Sequence, residues 1–254
     1  DGGDELFGGY QHYDRLLWRQ HKVDWLPLIL RKIIAQCADS LLPIGFKGRN
    51  WLQSLSCDLN NDLPLIASFF DSKTRLNLMG NKSWPLVGES IWRATVIPKN
   101  DDLLQRLTRM DFNNFMTEDI LVKIDRASML NSLELRAPFL DHRVLEFAFG
   151  RVPSSLKTTF MSRKIFLKKL AKKLLPPNFD RQRKQGFGVP LDEWLKKGPW
   201  RELFHDVLLD SQSIFDKKIV KKLFEGQDRG RKNSERLLCL VLFELWRREY
   251  KMTL

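Results

Sequence analysis

A mainly α-helical fold is predicted by three features of the sequence. Apolar residues recur at three- and four-residue intervals through most of its length. Prolines and glycines punctuate those runs, as at Pro43, Gly45, Pro138 and Pro176-Pro177. No stretch alternates apolar and polar residues as a half-buried strand would.

The elements follow in order. Leu6 to Val23 reads as a first helix, with Gln11, Asp14, Arg15 and Arg19 on its polar face. Trp25 to Leu42 reads as a second, stopped by Pro43 and Gly45. Short helices are expected at 49–56, 63–71 and 73–79. Asp101 and Asp102 offer capping oxygens for a helix to about Met116, and Thr117-Glu118-Asp119 open another to about Asn131. Asp141 starts a helix to about Phe149, with His142 in its first turn. Met161 to Leu175 follows, ended by Pro176-Pro177. Pro190 to Lys196, Pro199 to Leu209, Asp216 to Phe224 and Ser234 to Tyr250 complete the set.

With 254 residues, 43% of them hydrophobic, the chain can bury one good core and accommodate one or two domains. No run of 18 apolar residues occurs, so no membrane span is expected. Cys37, Cys57 and Cys239 are odd in number and lack a CxxC, which suits a reducing cytoplasm with the thiols packed as small apolar groups. His12, His21, His142 and His205 form no zinc pattern with them. The net charge of +12 is concentrated: residues 151–185 hold eleven Lys/Arg against the single acid Asp180. Such a patch attracts polyanions. Yet Ile165, Phe166, Leu167, Leu170, Leu174 and Leu175 form an apolar stripe between the lysines. A solvated helix face is therefore favoured over a field for ATP or pyrophosphate, and nucleic acid is the least favoured partner.

Chemistry concentrates in the first ten residues, DGGDELFGGY. Asp1, Asp4 and Glu5 are mixed with Gly2, Gly3, Gly8 and Gly9. Glycine admits positive φ and close approach of a ligand to the backbone. Clustered carboxylates suit Mg²⁺, which fills most of its shell from phosphates and water. The alternative is an acidic turn that caps a helix, and Glu5 in particular reads as a first-turn helix carboxylate. Around Asp125, the residues Ile120, Ile124, Ala127 and Asn131 follow helical spacing, and Asp125 and Ser128 lie beside that stripe. A carboxylate bordering an apolar face is costly to bury unless paired or used. Arg126, Glu134, Arg136 and Asp141 provide for an ordinary salt-bridge network as the other reading. In RKQGF, Lys184 precedes Gly186 and Gly188 in a loop that would let it carry a point charge to phosphate.

DGGDELFGGY, DILVKIDRASMLNSLELRAPFLDHRV (Asp119 to Val144), RKQGFGVPLDEW (Arg183 to Trp194) and the final helix ending LFELWRREY occur in an order that resembles asparagine synthetases of the glutamine-hydrolysing type and their relatives. The resemblance implies that 1–254 is the C-terminal, mostly helical part of an α/β ATP-pyrophosphatase (adenine nucleotide alpha hydrolase-like) synthetase domain. The sheet, its SGGxDS phosphate loop and an N-terminal cysteine glutaminase domain would lie upstream. It also implies that the parent adenylates the aspartate side chain with ATP and Mg²⁺. Ammonia from glutamine then displaces AMP. A homodimer of the parent is compatible with this.

Carried over residue by residue, the resemblance makes Asp4 the carboxylate that shares Mg²⁺ with the upstream loop. Asp1 falls at an acidic catalytic position that is often Glu in relatives, and Gly2 and Gly3 fall in the ATP-binding turn. Asp125 becomes a catalytic or substrate-binding residue, and Lys184 becomes the lysine that contacts phosphates during adenylation. From their own chemistry, Arg126 and Arg136 can each clamp a carboxylate or phosphate bidentately, although such arginines are more often structural. Gln182 departs from the pattern, since relatives usually carry arginine there. Two other functions stay open at this point. One is a sister enzyme, either β-lactam-forming or an amidotransferase of polysaccharide pathways. The other is a non-catalytic helical interaction or nucleic-acid module. An upstream SGGxDS loop and N-terminal cysteine would separate the enzymes from the module.

Overall fold

All regular structure in the computed structural model is helical across the residues described, namely 1–64, 69–80, 97–99, 101–179 and 188–252. No strand occurs among them, in keeping with the mainly α class. In chain order the helices are α1 (Gly3–Phe7), α2 (Gln11–Lys22), α3 (Leu28–Leu41), α4 (Arg49–Ser54), α5 (Ser72–Met79), α6 (Leu103–Asp111), α7 (Leu121–Met129), α8 (His142–Gly150), α9 (Ser154–Lys157), α10 (Ile165–Leu174), α11 (Leu191–Trp194), α12 (Pro199–Leu209), α13 (Lys217–Asp228) and α14 (Ser234–Glu249). A π-helical stretch, Phe112–Ile120, joins α6 to α7, and a 3₁₀ turn, Pro138–Leu140, precedes α8. No helix of the described residues is long and apolar enough to cross a membrane.

Two units divide the chain. The first comprises Asp1–Leu28, Cys57–Pro64 and the described part of Glu89–Gln185. Its core gathers Leu6, Phe7, Ala148 and Val152, with Phe112, Val144, Phe149, Phe166 and Leu167 packed against them. The Phe7 ring stacks on Phe166 at 5.8 Å and meets Phe139 edge-on at 5.8 Å, so α1 lies between α10 and the 3₁₀ turn. Buried cations tie in the segment 57–64. Arg19 Nε pairs with Asp24 at 3.0 Å and Nη2 donates to the Cys57 carbonyl at 2.6 Å, while Arg106 Nη1 donates to the Leu59 carbonyl at 2.7 Å. Arg19 is fully buried, which corrects its expected place on a polar face. Buried guanidinium groups are costly without acceptors, and these carbonyls and Asp24 supply them for all but Arg106 Nε, which is buried without a partner.

The second unit comprises Ile29–Ser56 and the described parts of Leu65–Gly88 and Gly186–Leu254. Leu237, Leu240 and Val241 of α14 bury against Phe204 and Leu208 of α12 and Val220 and Leu223 of α13. Arg49 bridges Asp39 at 3.0 Å and Asp71 at 2.7 Å, and Asp71 caps α5 by accepting from the Thr74 amide at 2.8 Å. Asn233, fully buried, donates to the Leu223 carbonyl at 3.1 Å. A Cβ on Gly226 would come within 2.5 Å of its amide nitrogen, so only glycine fits that turn of α13.

Several boundaries differ from expectation for identifiable reasons. The helix expected from Leu6 to Val23 is two helices, because Gly8 turns left-handed (φ 68°) and ends α1. Thr117 does not open a new helix. Its hydroxyl donates back to the Asn113 carbonyl at 2.9 Å, so the chain continues as wide π turns from α6 into α7. The helix expected at 161–175 begins only at Ile165, since Lys164 is left-handed (φ 54°). By contrast Asp102 caps α6 and Asp141 starts α8 as read from the sequence, His142 opens α8, and Asp216, read as the first residue of its helix, caps α13. The helix expected at 63–71 falls partly outside the described residues. Cys37 and Cys239 are exposed rather than packed. Burial pushes the Cys57 thiol up to about 12.

Candidate active site

The acidic turn is shaped by what glycine permits at each position. Gly2 has φ 90°, and a Cβ there would lie 2.6 Å from Leu140 Cδ2 and 3.3 Å from Phe139 Cβ. Positive φ and close contact both exclude a side chain. Asp1–Glu5 therefore sits directly on the Pro138–Leu140 turn, which joins two segments far apart in the sequence.

Asp4 and Glu5 point to different fates. Glu5 is buried at 2% exposure and its carboxylate accepts from the Tyr10 hydroxyl. Burial raises its pKa in spite of that hydrogen bond, and burial beside Glu5 also raises that of Tyr10. Glu5 is thus a core group, although it lies in the first turn of α1 as expected. Asp4 is about one-quarter exposed, and its Oδ1 stands 3.0 Å from Lys164 Nζ.

The segment 158–164 clasps the same turn from outside α1. The Thr158 hydroxyl donates to the Gly8 carbonyl at 2.5 Å, and the Lys164 amide approaches that oxygen at 3.4 Å. Arg163 donates to the Gly9 carbonyl at 3.4 Å and pairs with Asp14 at 3.3 Å. A side chain on Gly9 would overlap Asp4 Oδ1 and Lys164 Cε, so the ion pair fills the space above this glycine. Lys164 reaches Asp4 from a left-handed backbone that costs roughly 1–2 kcal/mol for a residue with a Cβ. Behind α1, His12 Nε2 and Asp111 Oδ2 are 2.6 Å apart, with the Tyr10 and Tyr13 rings packed on the imidazole.

Other candidates lie differently. Asp1 is exposed. Asp125 and Arg126 are exposed on α7, whose buried residue is Ser128. The burial argument for Asp125 therefore fails: its carboxylate is hydrated and needs no buried partner. Arg136, 87% exposed, pairs with Glu134, and Asp141 pairs with Arg143 at 2.9 Å, so the expected network around Asp125 is replaced by local pairs. Lys184, with Gln182, Arg183 and Gly186, lies outside the described residues. The lysines Lys168, Lys169, Lys172 and Lys173 are solvent-exposed as expected, but so are Leu170, Leu174 and Leu175 of the expected apolar stripe, because only the first turn of α10, through Phe166 and Leu167, packs on the core. Lys164 and Thr158 were not singled out in the sequence. Lys164 was one cation among eleven in its stretch, and only folding shows which of them meets Asp4.

Among the described residues no group of three His, Cys, Asp or Glu could hold a metal ion. That leaves no all-protein cage among them, and Asp4 and the exposed Asp1 are the accessible carboxylates of the acidic turn. One or two carboxylates fit Mg²⁺, which fills the rest of its shell from phosphate and water.

Comparison with known proteins bears on the whole chain. The asparagine synthase family model, of the ATP-pyrophosphatase superfamily, matches residues 1–248. "Asparagine synthetase [glutamine-hydrolyzing] 1" of Bacillus subtilis is 28% identical over 250 residues, covering 97% of this chain and 39% of the relative. A "Putative asparagine synthetase [glutamine-hydrolyzing]" of Mycobacterium tuberculosis is 32% identical over 259 residues, covering 97% and 38%. The chain thus spans well under half the length of these relatives. No solved structure matches it significantly. A match that runs from the acidic turn to the last helix leaves one conclusion: this chain belongs to the asparagine synthase family.

Proposed function

We propose that residues 1–254 are the C-terminal helical part of a synthetase domain whose parent makes asparagine. In this reading ATP adenylates the aspartate side-chain carboxylate, and ammonia released from glutamine displaces AMP. The observation that carries it is the family match over residues 1–248, which begins at the acidic turn itself. An upstream glutaminase domain and an SGGxDS loop would complete the enzyme, which in this reading is cytoplasmic.

The residues of this chain divide the work by position. Asp4, accessible and negatively charged, would hold Mg²⁺ together with the upstream loop. When bound, the ion neutralises charge on the departing pyrophosphate. Gly2 and Gly3 would meet the nucleotide through their backbone, since the side-chain space beside Gly2 is filled by Leu140 and Phe139 and that beside Gly3 by Leu167 and Phe139. Asp1 would face the reacting carboxyl group. Lys184 would place its ammonium on the phosphates as negative charge moves onto them. Asp125, Arg126 and Arg136, exposed on one connected segment, are free to meet substrate or the upstream half.

Aspartate-dependent exchange of pyrophosphate into ATP by the full-length protein tests this reading. Exchange with aspartate, and none with other carboxylic acids, is expected. Exchange driven by a different acid would favour a sister enzyme, and no exchange with any acid would favour a non-catalytic module. The 254-residue chain alone, without the upstream loop, is expected to release no pyrophosphate.

A further inference from the structure

We propose that Lys164 is a resident counter-cation of Asp4, a positioning residue that a divalent ion must push aside to bind. The inference rests on the reading of Asp4 as a metal carboxylate.

Three independent features converge on it. Lys164 Nζ stands 3.0 Å from Asp4 Oδ1, at charge-assisted hydrogen-bonding distance. The backbone of Lys164 is left-handed, at φ 54° and ψ 39°, a conformation that persists in a residue with a Cβ only where its surroundings impose it. Those surroundings are the acidic turn itself, through the Gly8 carbonyl that Thr158 and Lys164 share and the Gly9 carbonyl that Arg163 approaches. The third feature is Gly9. Any side chain there would overlap both members of the pair, so the turn is cut to admit it.

The charges decide what the pair does. An ammonium at this oxygen holds the carboxylate in one orientation before any ligand arrives. Mg²⁺ bound to the same oxygen would stand about 2.1 Å from it, and the two cations repel. Lysine, a flexible point charge on a four-carbon stem, can withdraw. Free divalent cation is therefore held weakly until the ammonium has another anion to meet, such as a phosphate.

Mn²⁺ binding to the full-length protein without nucleotide, read by electron paramagnetic resonance, tests the competition. Lys164→Gln should tighten Mn²⁺ binding by about two- to fivefold, the range expected for a partly exposed ion pair. Lys164→Arg should retain wild-type affinity. Asp4→Asn should weaken binding, and adding Lys164→Gln to it should change nothing further. Unchanged affinity in Lys164→Gln, with Asp4→Asn weakened, overturns the role of Lys164 and leaves the reading of Asp4 standing. Wild-type affinity in Asp4→Asn overturns both. A metal-free double-mutant cycle by chemical denaturation examines the contact itself. The two substitutions should be non-additive by about two- to fivefold in the unfolding constant, and strict additivity overturns the pair.

Discussion

Adjacent glycines at the acidic turn should separate stability from ligand handling. A Cβ on Gly8 would overlap the Thr158 hydroxyl and lie 3.1 Å from Thr158 Cβ, on a backbone at φ 68°. Thr158 is short, β-branched and buried, so it has little room to yield. Gly8→Ala therefore incurs left-handed strain of roughly 1–2 kcal/mol. It also breaks the hydrogen bond from Thr158 to the Gly8 carbonyl, and a buried polar group left unpaired costs about 1–3 kcal/mol. The expected loss is about 2–5 kcal/mol. Gly9 shows no positive φ, and the atoms nearest its Cβ belong to the Asp4 carboxylate and Lys164 Cε, on side chains that can swing away. Gly9→Ala should then lose no more than the partly exposed pair, about 1 kcal/mol or less. Yet it should disturb Mn²⁺ binding, because Asp4 can no longer stay where it is. Urea denaturation of both variants, with Mn²⁺ titration of each, provides the comparison. Equal stability losses, or Gly9→Ala the more damaged fold, would refute the reasoning.

Lys157 offers a pH test. Its amine is buried, donates to Gln105 Oε1 at 3.0 Å and lies 4.9 Å from the Phe149 ring centre, and burial with the Arg109 charge beside it pushes its pKa down to about 8. Between pH 8 and about 10.4 the unfolded chain binds the extra proton, so this group makes stability rise with pH across that window. Lys157→Met should be the more stable form near pH 7, on the order of 2 kcal/mol after allowing for the lost hydrogen bond, with the gap closing towards pH 10. A gap that ignores pH would count against this. In the full-length protein, Lys184→Met should lower kcat for adenylation by about 10²–10³-fold, whereas Lys168→Met on the solvent face of α10 should change little, as steady-state kinetics of the pair will show. Gly226→Ala should cost stability by displacing the Asn233 amide, visible as a lowered Tm, since that nitrogen sits 2.5 Å from the new Cβ.

Local chemistry was legible in the sequence, and distant chemistry was not. Asp102, Asp141 and Asp216 cap their helices because an aspartate before an apolar run acts within three residues of itself. The split between α1 and α2 was hidden because Leu6, Tyr13 and Leu16 keep an apolar face in step across Gly8-Gly9. Only the clasp from residues 158–164 shows that the chain must turn there. Arg19 reads as solvent-facing, but besides Asp24 it is held by the Cys57 carbonyl, 38 residues away, which the sequence pattern does not show. The acidic turn itself was recognisable from its glycines and carboxylates. Which of its two central acids faces the core was decided by Tyr10, which takes Glu5 inward and leaves Asp4 accessible.

The central claim is that Asp4 serves adenylation in an asparagine-forming enzyme. Aspartate-dependent pyrophosphate release by the full-length protein, measured across Mg²⁺ concentrations for wild type and Asp4→Asn, tests it most directly. The account predicts release matched by AMP and asparagine in the wild type, with a fall of about a hundredfold or more in the variant at unchanged fold. Near-wild-type release by Asp4→Asn, with the same Mg²⁺ dependence, would contradict it and leave Asp4 as a structural partner of Lys164.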